Sequence, residues 1–125
     1  NKIEHEKIKH IGFVEPVNMT QYLTEKSVYI LPSQFEPWGV TVHEFAVTAS
    51  PFILSKNVGA HELFLDSNKN GILLNEVSVK ELKKAMQLMM SKSESQLLEM
   101  SINSHEFGLA YTPYMWAEKL LSLVK

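Results

Sequence analysis

The chain has 125 residues, 45% of them hydrophobic, which is enough for one domain with a single core. Its formal net charge is -2 and all 12 basic residues are lysines, so the planar arginine fork that recognises phosphates and bases is absent and we expect no nucleic-acid partner. Cysteine is absent too, which excludes disulfides, a thiolate nucleophile and a sulfur-ligated metal.

The first half of the chain predicts strands alternating with helices. The apolar run "IGFV" at 11–14 predicts a strand, and Asn18 then caps a helix of about two turns. A second apolar run, at 28–32, predicts another strand. Its following helix begins near Gly39 and has one apolar stripe, made of Val42, Phe45, Ala46 and Ala49.

The second half predicts two more strands and then only helices. The strands occupy 52–55 and 71–74. Ser78 and Glu81 form a capping-box pattern at the start of the next helix. Two further helices are predicted at 94–107 and 113–124. Thr112 caps the last one, whose apolar face carries Trp116, Leu120 and Leu123.

This order of elements predicts an α/β domain. Because the apolar runs do not alternate with polar residues, the sheet should be covered on both faces, which is typical of parallel strands joined by helices. We expect a Rossmann-like sheet of about four short strands, with helices on both faces and a helical C-terminus. Ligands of such sheets bind at the carboxyl ends of the strands, which here means the segments after Val14, Pro32 and Ser55.

The segment after Pro32 reads "SQFEPWGVTVHEF" and suggests a particular ligand. The first amides of the following helix are free to bind an anion such as phosphate. Two carboxylates flank these amides, Glu36 and Glu44, and carboxylates accept hydrogen bonds from the hydroxyls of a sugar or ribose. Phosphate between two polyols describes a nucleotide sugar. The alternative is that Glu36 only caps the helix and Glu44 is a solvated surface residue, and spacing alone leaves both open.

A wider stretch, "ILPSQFEPWGVTVHEFAVTASPFILS" at 30–55, resembles the retaining glycosyltransferases of group 1, which have the GT-B fold. Their pattern is a strand ending in Pro-Ser, then Glu-Pro-x-Gly, a second Glu eight residues after the first, a helix and a Pro-led strand. The matching residues are Pro32, Ser33, Glu36, Pro37, Gly39, Glu44 and Pro51. The resemblance extends to "IGFVEPVNMTQYLTEKSVYILPS" before this stretch and "NVGAHELFLDSNKNGILL" after it.

The resemblance implies a role for each residue. Glu36 would contact the transferred sugar in a positioning and electrostatic role, and Glu44 would bind the ribose hydroxyls. The Gly12 to Pro16 segment would border the base, and backbone amides would hold sugar hydroxyls and diphosphate without a metal or other cofactor. The expected catalytic residue is Glu36, and the expected substrate-binding residues are Gly12, Phe13, Val14, Glu36, Pro37, Trp38, Gly39, Val40, Glu44 and Gly59.

Three positions depart from the family pattern. Phe45 stands where a small residue is usual, Ser50 stands where a glycine precedes the proline, and Ala60 follows Gly59 in a turn that usually has two glycines. Ala60 can offer the same N–H only if its φ is negative. His43 either reaches a donor phosphate or is a surface helix residue, and the five histidines have no metal-binding spacing.

The resemblance also implies parts outside this chain. We expect residues 1–125 to be one nucleotide-sugar donor-binding half-domain, truncated at its N-terminal side and inactive without an N-terminal acceptor-binding domain. We expect a cytoplasmic protein of polysaccharide biosynthesis, whose only membrane contact would be made by the missing part. The alternatives are a nucleotide-sugar epimerase, a starch-synthase-like enzyme, a non-catalytic α/β regulatory module and a remnant without ligand.

Overall fold

A computed structural model describes residues 4–23 and 27–124. Its elements in chain order are a 3₁₀ helix at Pro16–Tyr22, β1 at Tyr29–Leu31, α1 at Val40–Val47, β2 at Phe52–Ser55, α2 at His61–Phe64, β3 at Gly71–Leu74, α3 at Val79–Met90, α4 at Glu94–Leu109 and α5 at Pro113–Leu123. None of the helices in this part of the chain combines the length and apolar character needed to cross a membrane.

The strands form one parallel sheet in the order β1-β2-β3. Leu54 of the central strand pairs with Leu31 on one side and Leu73 on the other. All four residues of β2 are buried, as a strand covered on both faces requires. The predicted α/β class with parallel pairing is confirmed.

Each face of the sheet has its own apolar cluster. One joins the sheet to α1 and α2, through Val42, Ala46, Phe52, Leu54, Val58, Ala60 and Phe64. The other joins it to α3 and the first half of α4, through Ile53, Leu74, Ala85, Met89 and Met100. Helices on both faces were predicted and are observed.

The predicted first strand at 11–14 is wrong. Residues 9–15 have no regular structure, so the sheet has three strands in the described part of the chain instead of about four. Gly12 has φ +69°, outside the extended region, and Phe13 is 84% exposed. A left-handed residue in the middle of the run breaks the extended backbone that a sheet ladder needs.

The helix expected to begin at Asn18 also differs. It is a 3₁₀ helix that begins at Pro16, with Glu15 as its N-cap. Proline suits the first helical position because that position needs no N–H donor and has the φ that the ring imposes. The predicted end of this helix, at 24–26, lies outside the described residues.

The later helices begin where their caps predict. The Ser78 hydroxyl accepts from the Glu81 amide, and the Thr112 hydroxyl accepts from the Met115 amide. Helix α5, however, buries none of its residues. Its apolar face stays exposed, with Trp116 at 56% and Leu120 at 61% of their surface.

Candidate functional site

Two loops at the carboxyl edge of the sheet are fastened to each other by backbone hydrogen bonds. The Glu36 amide donates to the Asn57 carbonyl at 3.0 Å, and the Gly59 amide donates back to the Glu36 carbonyl at 3.0 Å. The Ala60 amide donates to the Trp38 carbonyl at 2.8 Å. Backbone hydrogen bonds at Glu36 and Trp38 therefore join the loop that carries Glu36 to the loop that follows β2.

Gly59 allows this close approach. A Cβ on Gly59 would overlap the Pro37 carbonyl oxygen and would lie 3.4 Å from the Trp38 Cα. Only hydrogen fits there, so the expected substrate-binding role of Gly59 is accompanied by a structural one. Ala60 has φ -63°, the negative value that the sequence required, but the Trp38 carbonyl already takes its N–H.

Helix α1 begins at this loop with open amide groups. Gly39 is its N-cap, with a left-handed φ of +92° that a larger residue rarely adopts. Within the described residues, the amides of Gly39, Val40 and Thr41 donate no hydrogen bond. The helix dipole adds positive potential at this tip, and so an anion can bind there.

Glu36 does not cap α1, because the N-terminus of this helix receives no side-chain capping hydrogen bond. Its Oε1 accepts from the Trp38 amide at 3.4 Å, a long bond that caps the turn before α1. The side chain is only half-buried and its second oxygen has no partner in the described residues. Glu36 can therefore shape its loop and still accept a hydrogen bond from a ligand.

Tyr29 joins β1 to the first turn of α1, and sequence reasoning missed it. Its hydroxyl shares a 2.7 Å hydrogen bond with the Thr41 hydroxyl. Burial raises the pKa of Tyr29, the bond to Thr41 opposes the rise, and the charges of Glu36 and Glu44 raise it further. A tyrosine in an otherwise aliphatic strand was the only signal.

The departure at Phe45 is explained by the same tyrosine. The two rings stack with centroids 4.0 Å apart and planes at 21°. The larger side chain at this position thus holds Tyr29 against α1.

A pocket of about 370 Å³ lies beside Glu44, between α1 and the 3₁₀ helix. We call it the Glu44 pocket, and it is lined by Pro16, Met19, Thr20, Leu23, His43, Glu44, Val47 and Thr48. Its apolar wall comes from the 3₁₀ helix, which the sequence analysis did not connect with the site. Glu44 itself is exposed, and its carboxylate has no hydrogen-bond or ion-pair partner among residues 4–23 and 27–124.

Other predicted site residues are not at this pocket. Gly12, Phe13 and Val14 precede the 3₁₀ helix and do not line it, whereas Pro16, at the end of the same segment, does. Pro37 is exposed in the loop, and Val40 is 65% exposed on the first turn of α1.

His43 is half-buried and packed rather than a surface helix residue, and its reach to a donor phosphate stays a prediction. Its Nε2 donates to the Gly108 carbonyl at 2.9 Å, and its ring stacks on Phe64 with centroids 4.7 Å apart. A Cβ on Gly108 would lie 2.5 Å from the Val47 nitrogen, so α1 and α4 are in backbone contact here. His43 therefore ties the helix that carries Glu44 to α4. In the described ranges, no group of three or more His, Cys, Asp or Glu side chains could hold a metal.

Comparisons with known proteins identify the class. A sequence profile of the family described as "Glycosyl transferases group 1" matches residues 2–106, and the chain belongs to this family. The fold is similar to that of a GT-B enzyme, sucrose-phosphate synthase from Thermosynechococcus elongatus, with a TM-score of 0.75 and 19% sequence identity. The match covers 91% of this chain and 28% of the synthase chain. No curated protein sequence matches.

Proposed function

We propose that this chain is the donor-binding half-domain of a retaining glycosyltransferase, which transfers a hexose from a nucleotide-diphosphate sugar to a glycan or lipid acceptor. The observation that carries the proposal is the position of Glu44. Its carboxylate lines the Glu44 pocket, and it lies on the helix whose first amides donate no hydrogen bond within the described residues.

The nucleoside occupies the Glu44 pocket. Its volume of about 370 Å³ is within the range of roughly 300–1,000 Å³ found for small-molecule sites. The base lies against the apolar wall from Pro16 and Met19, and the Glu44 carboxylate accepts from the two ribose hydroxyls. A carboxylate favours a diol over a phosphate here, because a second negative charge would be repelled.

The diphosphate lies at the start of α1. The amides of Gly39 and Val40 donate to its oxygens, and the helix dipole stabilises the charge that grows as the sugar leaves. The half-buried Glu36, ahead of these amides, accepts from the hydroxyls of the hexose. In the retaining reaction, the leaving diphosphate helps the acceptor hydroxyl to attack the anomeric carbon of the sugar from the face that the diphosphate leaves. No metal is needed to stabilise this leaving group.

The main acceptor-binding domain belongs to the rest of the enzyme, which acts in polysaccharide biosynthesis in the cytoplasm. The chain lacks arginine, and so the diphosphate has no bidentate side-chain partner from within it. We therefore expect weak nucleotide binding and no transferase activity from these 125 residues alone.

The test is an NMR titration of the isotope-labelled chain with uridine, guanosine and adenosine diphosphates in turn. We expect saturable shifts at Thr48, Glu44 and the start of α1. In Glu44→Gln, affinity should fall about tenfold or more, because a hydrogen bond to a charged acceptor contributes roughly 1.5–3 kcal/mol. Glu106→Gln, at an exposed glutamate of α4, is the matched control and should bind like the wild type. Absence of shifts at the Glu44 pocket with all three nucleotides at millimolar concentration would contradict the proposal.

A further inference from the structure

A second pocket of about 370 Å³ lies among α1, α2 and α5, and neither the sequence pattern nor the donor site accounts for it. It is lined by Trp38, His43, Leu63, Phe64, Tyr111 and Trp116. We call it the aromatic pocket, because all of these residues except Leu63 carry an aromatic ring. Both tryptophans of the chain are among them.

One side of the aromatic pocket is rigid. The Phe64 ring is buried and stacks on His43, and it meets the Tyr111 ring edge-on with centroids 5.5 Å apart. The two indoles remain open to a ligand, since Trp38 is 42% and Trp116 is 56% exposed. Exposed tryptophans around a packed aromatic base are typical of binding sites, because indole adds large contact area at low entropic cost.

The polar atoms of these rings are also available. In the described part of the chain, the Tyr111 hydroxyl and the indole N–H groups of Trp38 and Trp116 have no hydrogen-bond partner, and the Tyr111 hydroxyl is not buried. Among the described residues, no Lys, Asp or Glu lines the pocket. The site therefore offers flat apolar faces with donors at their edges, a surface that suits an uncharged ring with polar groups at its rim.

A pyranose ring has the complementary surface. Its C–H groups form an apolar face that lies on an aromatic ring, while its hydroxyls point outwards to donors and acceptors at the rim. Trp38 also belongs to the loop that carries Glu36, so a sugar in this pocket lies next to the proposed donor site.

We propose that the aromatic pocket binds a neutral pyranose ring and, resting on the proposed function, that this ring belongs to the acceptor glycan. The pocket is a sugar subsite within the donor-binding half-domain. Trp116 forms one face of this subsite from α5, and Tyr111 directs its hydroxyl at the sugar rim.

The two indole N–H signals in an NMR spectrum report directly on the pocket, because the chain has 2 tryptophans and both line it. The probes are methyl glucopyranoside, mannopyranoside and galactopyranoside, with cyclohexanol as an apolar ring of similar size. We expect at least one glycoside to shift both indole signals saturably at millimolar concentration and cyclohexanol to leave them unchanged. Uridine diphosphate should shift the Glu44 pocket, so failure of either proposal is visible separately.

Variants locate the binding. Trp116→Ala should weaken glycoside binding about two- to tenfold, the range expected for loss of one aromatic contact. Leu120→Ala removes an equally exposed residue one turn further along α5 that does not line the pocket, and it should change nothing. Tyr111→Phe removes the hydroxyl and keeps the ring contact with Phe64. Its glycoside affinity therefore measures the contribution of the hydroxyl alone.

Three results would overturn the proposal. The first is the absence of saturable indole shifts with every glycoside in the wild-type chain. The second is an equal response to cyclohexanol, which would mean an unspecific apolar cavity. The third is an equal loss of glycoside affinity in the Trp116 and Leu120 variants, which would place binding elsewhere.

Discussion

Replacement of Gly59 by alanine should loosen the loop that carries Glu36. The change leaves the side chains that we expect to bind the ligand, Glu36 and Glu44, in place. The new Cβ would collide with the Pro37 carbonyl oxygen and lie 3.1 Å from the carbonyl carbon. Both atoms are backbone, so no side-chain rotation can relieve the collision and the two loops must separate.

The cost follows from two contributions. Forcing a methyl group into a packed position typically costs about 1–3 kcal/mol. Separation of the loops also breaks one or two of the bonds that join residues 36–38 to 57–60, each contributing about 1 kcal/mol. We expect the free energy of unfolding to fall by roughly 2–5 kcal/mol, a large part of the ~5–15 kcal/mol typical of a domain.

Urea unfolding followed by circular dichroism measures this loss as a shift of about 1–2 M in the midpoint. The control is Asn57→Ala, an exposed side chain in the same loop whose backbone bond to Glu36 is kept, and it should stay within about 0.5 kcal/mol of the wild type. An unchanged midpoint in the Gly59 variant, or an equal shift in both variants, would refute the account of how the loops are joined.

Three further changes test other parts of the fold. Above the ordinary Tyr pKa of 10.0, the unfolded chain ionises Tyr29, whereas the folded chain keeps the proton because its Tyr29 pKa is raised. The free energy of unfolding should therefore fall as pH rises. Urea unfolding compared at about pH 9 and 11 should show a smaller fall in Tyr29→Phe than in the wild type. Ala49 has a left-handed φ of +64°, so Ala49→Gly should raise the thermal midpoint by removing about 0.5–1 kcal/mol of net strain, and a lower midpoint would contradict this. The buried Asn70 amide donates to the Ser104 hydroxyl at 3.0 Å, so Ser104→Ala should cost about 1–3 kcal/mol by leaving that donor unpaired, and an unchanged urea midpoint would show that it finds another partner.

The wrong first strand shows the limit of local patterns. The run at 11–14 is as apolar as the strand at 71–74, but only the second lies beside β2 and forms a ladder with it. An apolar run supplies the side chains that a strand buries, whereas hydrogen bonds from a neighbour decide whether the strand forms. The glycine at position 12 was one signal in the sequence, because glycine inside an apolar run weakens a strand, and its φ is positive in the structure.

The sequence by itself determined the features that depend on residues close together in the chain. The caps at Ser78 and Thr112 and the glycine before α1 act within one helical turn, and the residues that carry the family resemblance lie within one stretch, 30–55. Tertiary structure alone decided which distant surfaces meet, such as the 3₁₀ helix against α1. The reason is that these contacts join segments whose approach depends on the packing of the whole domain.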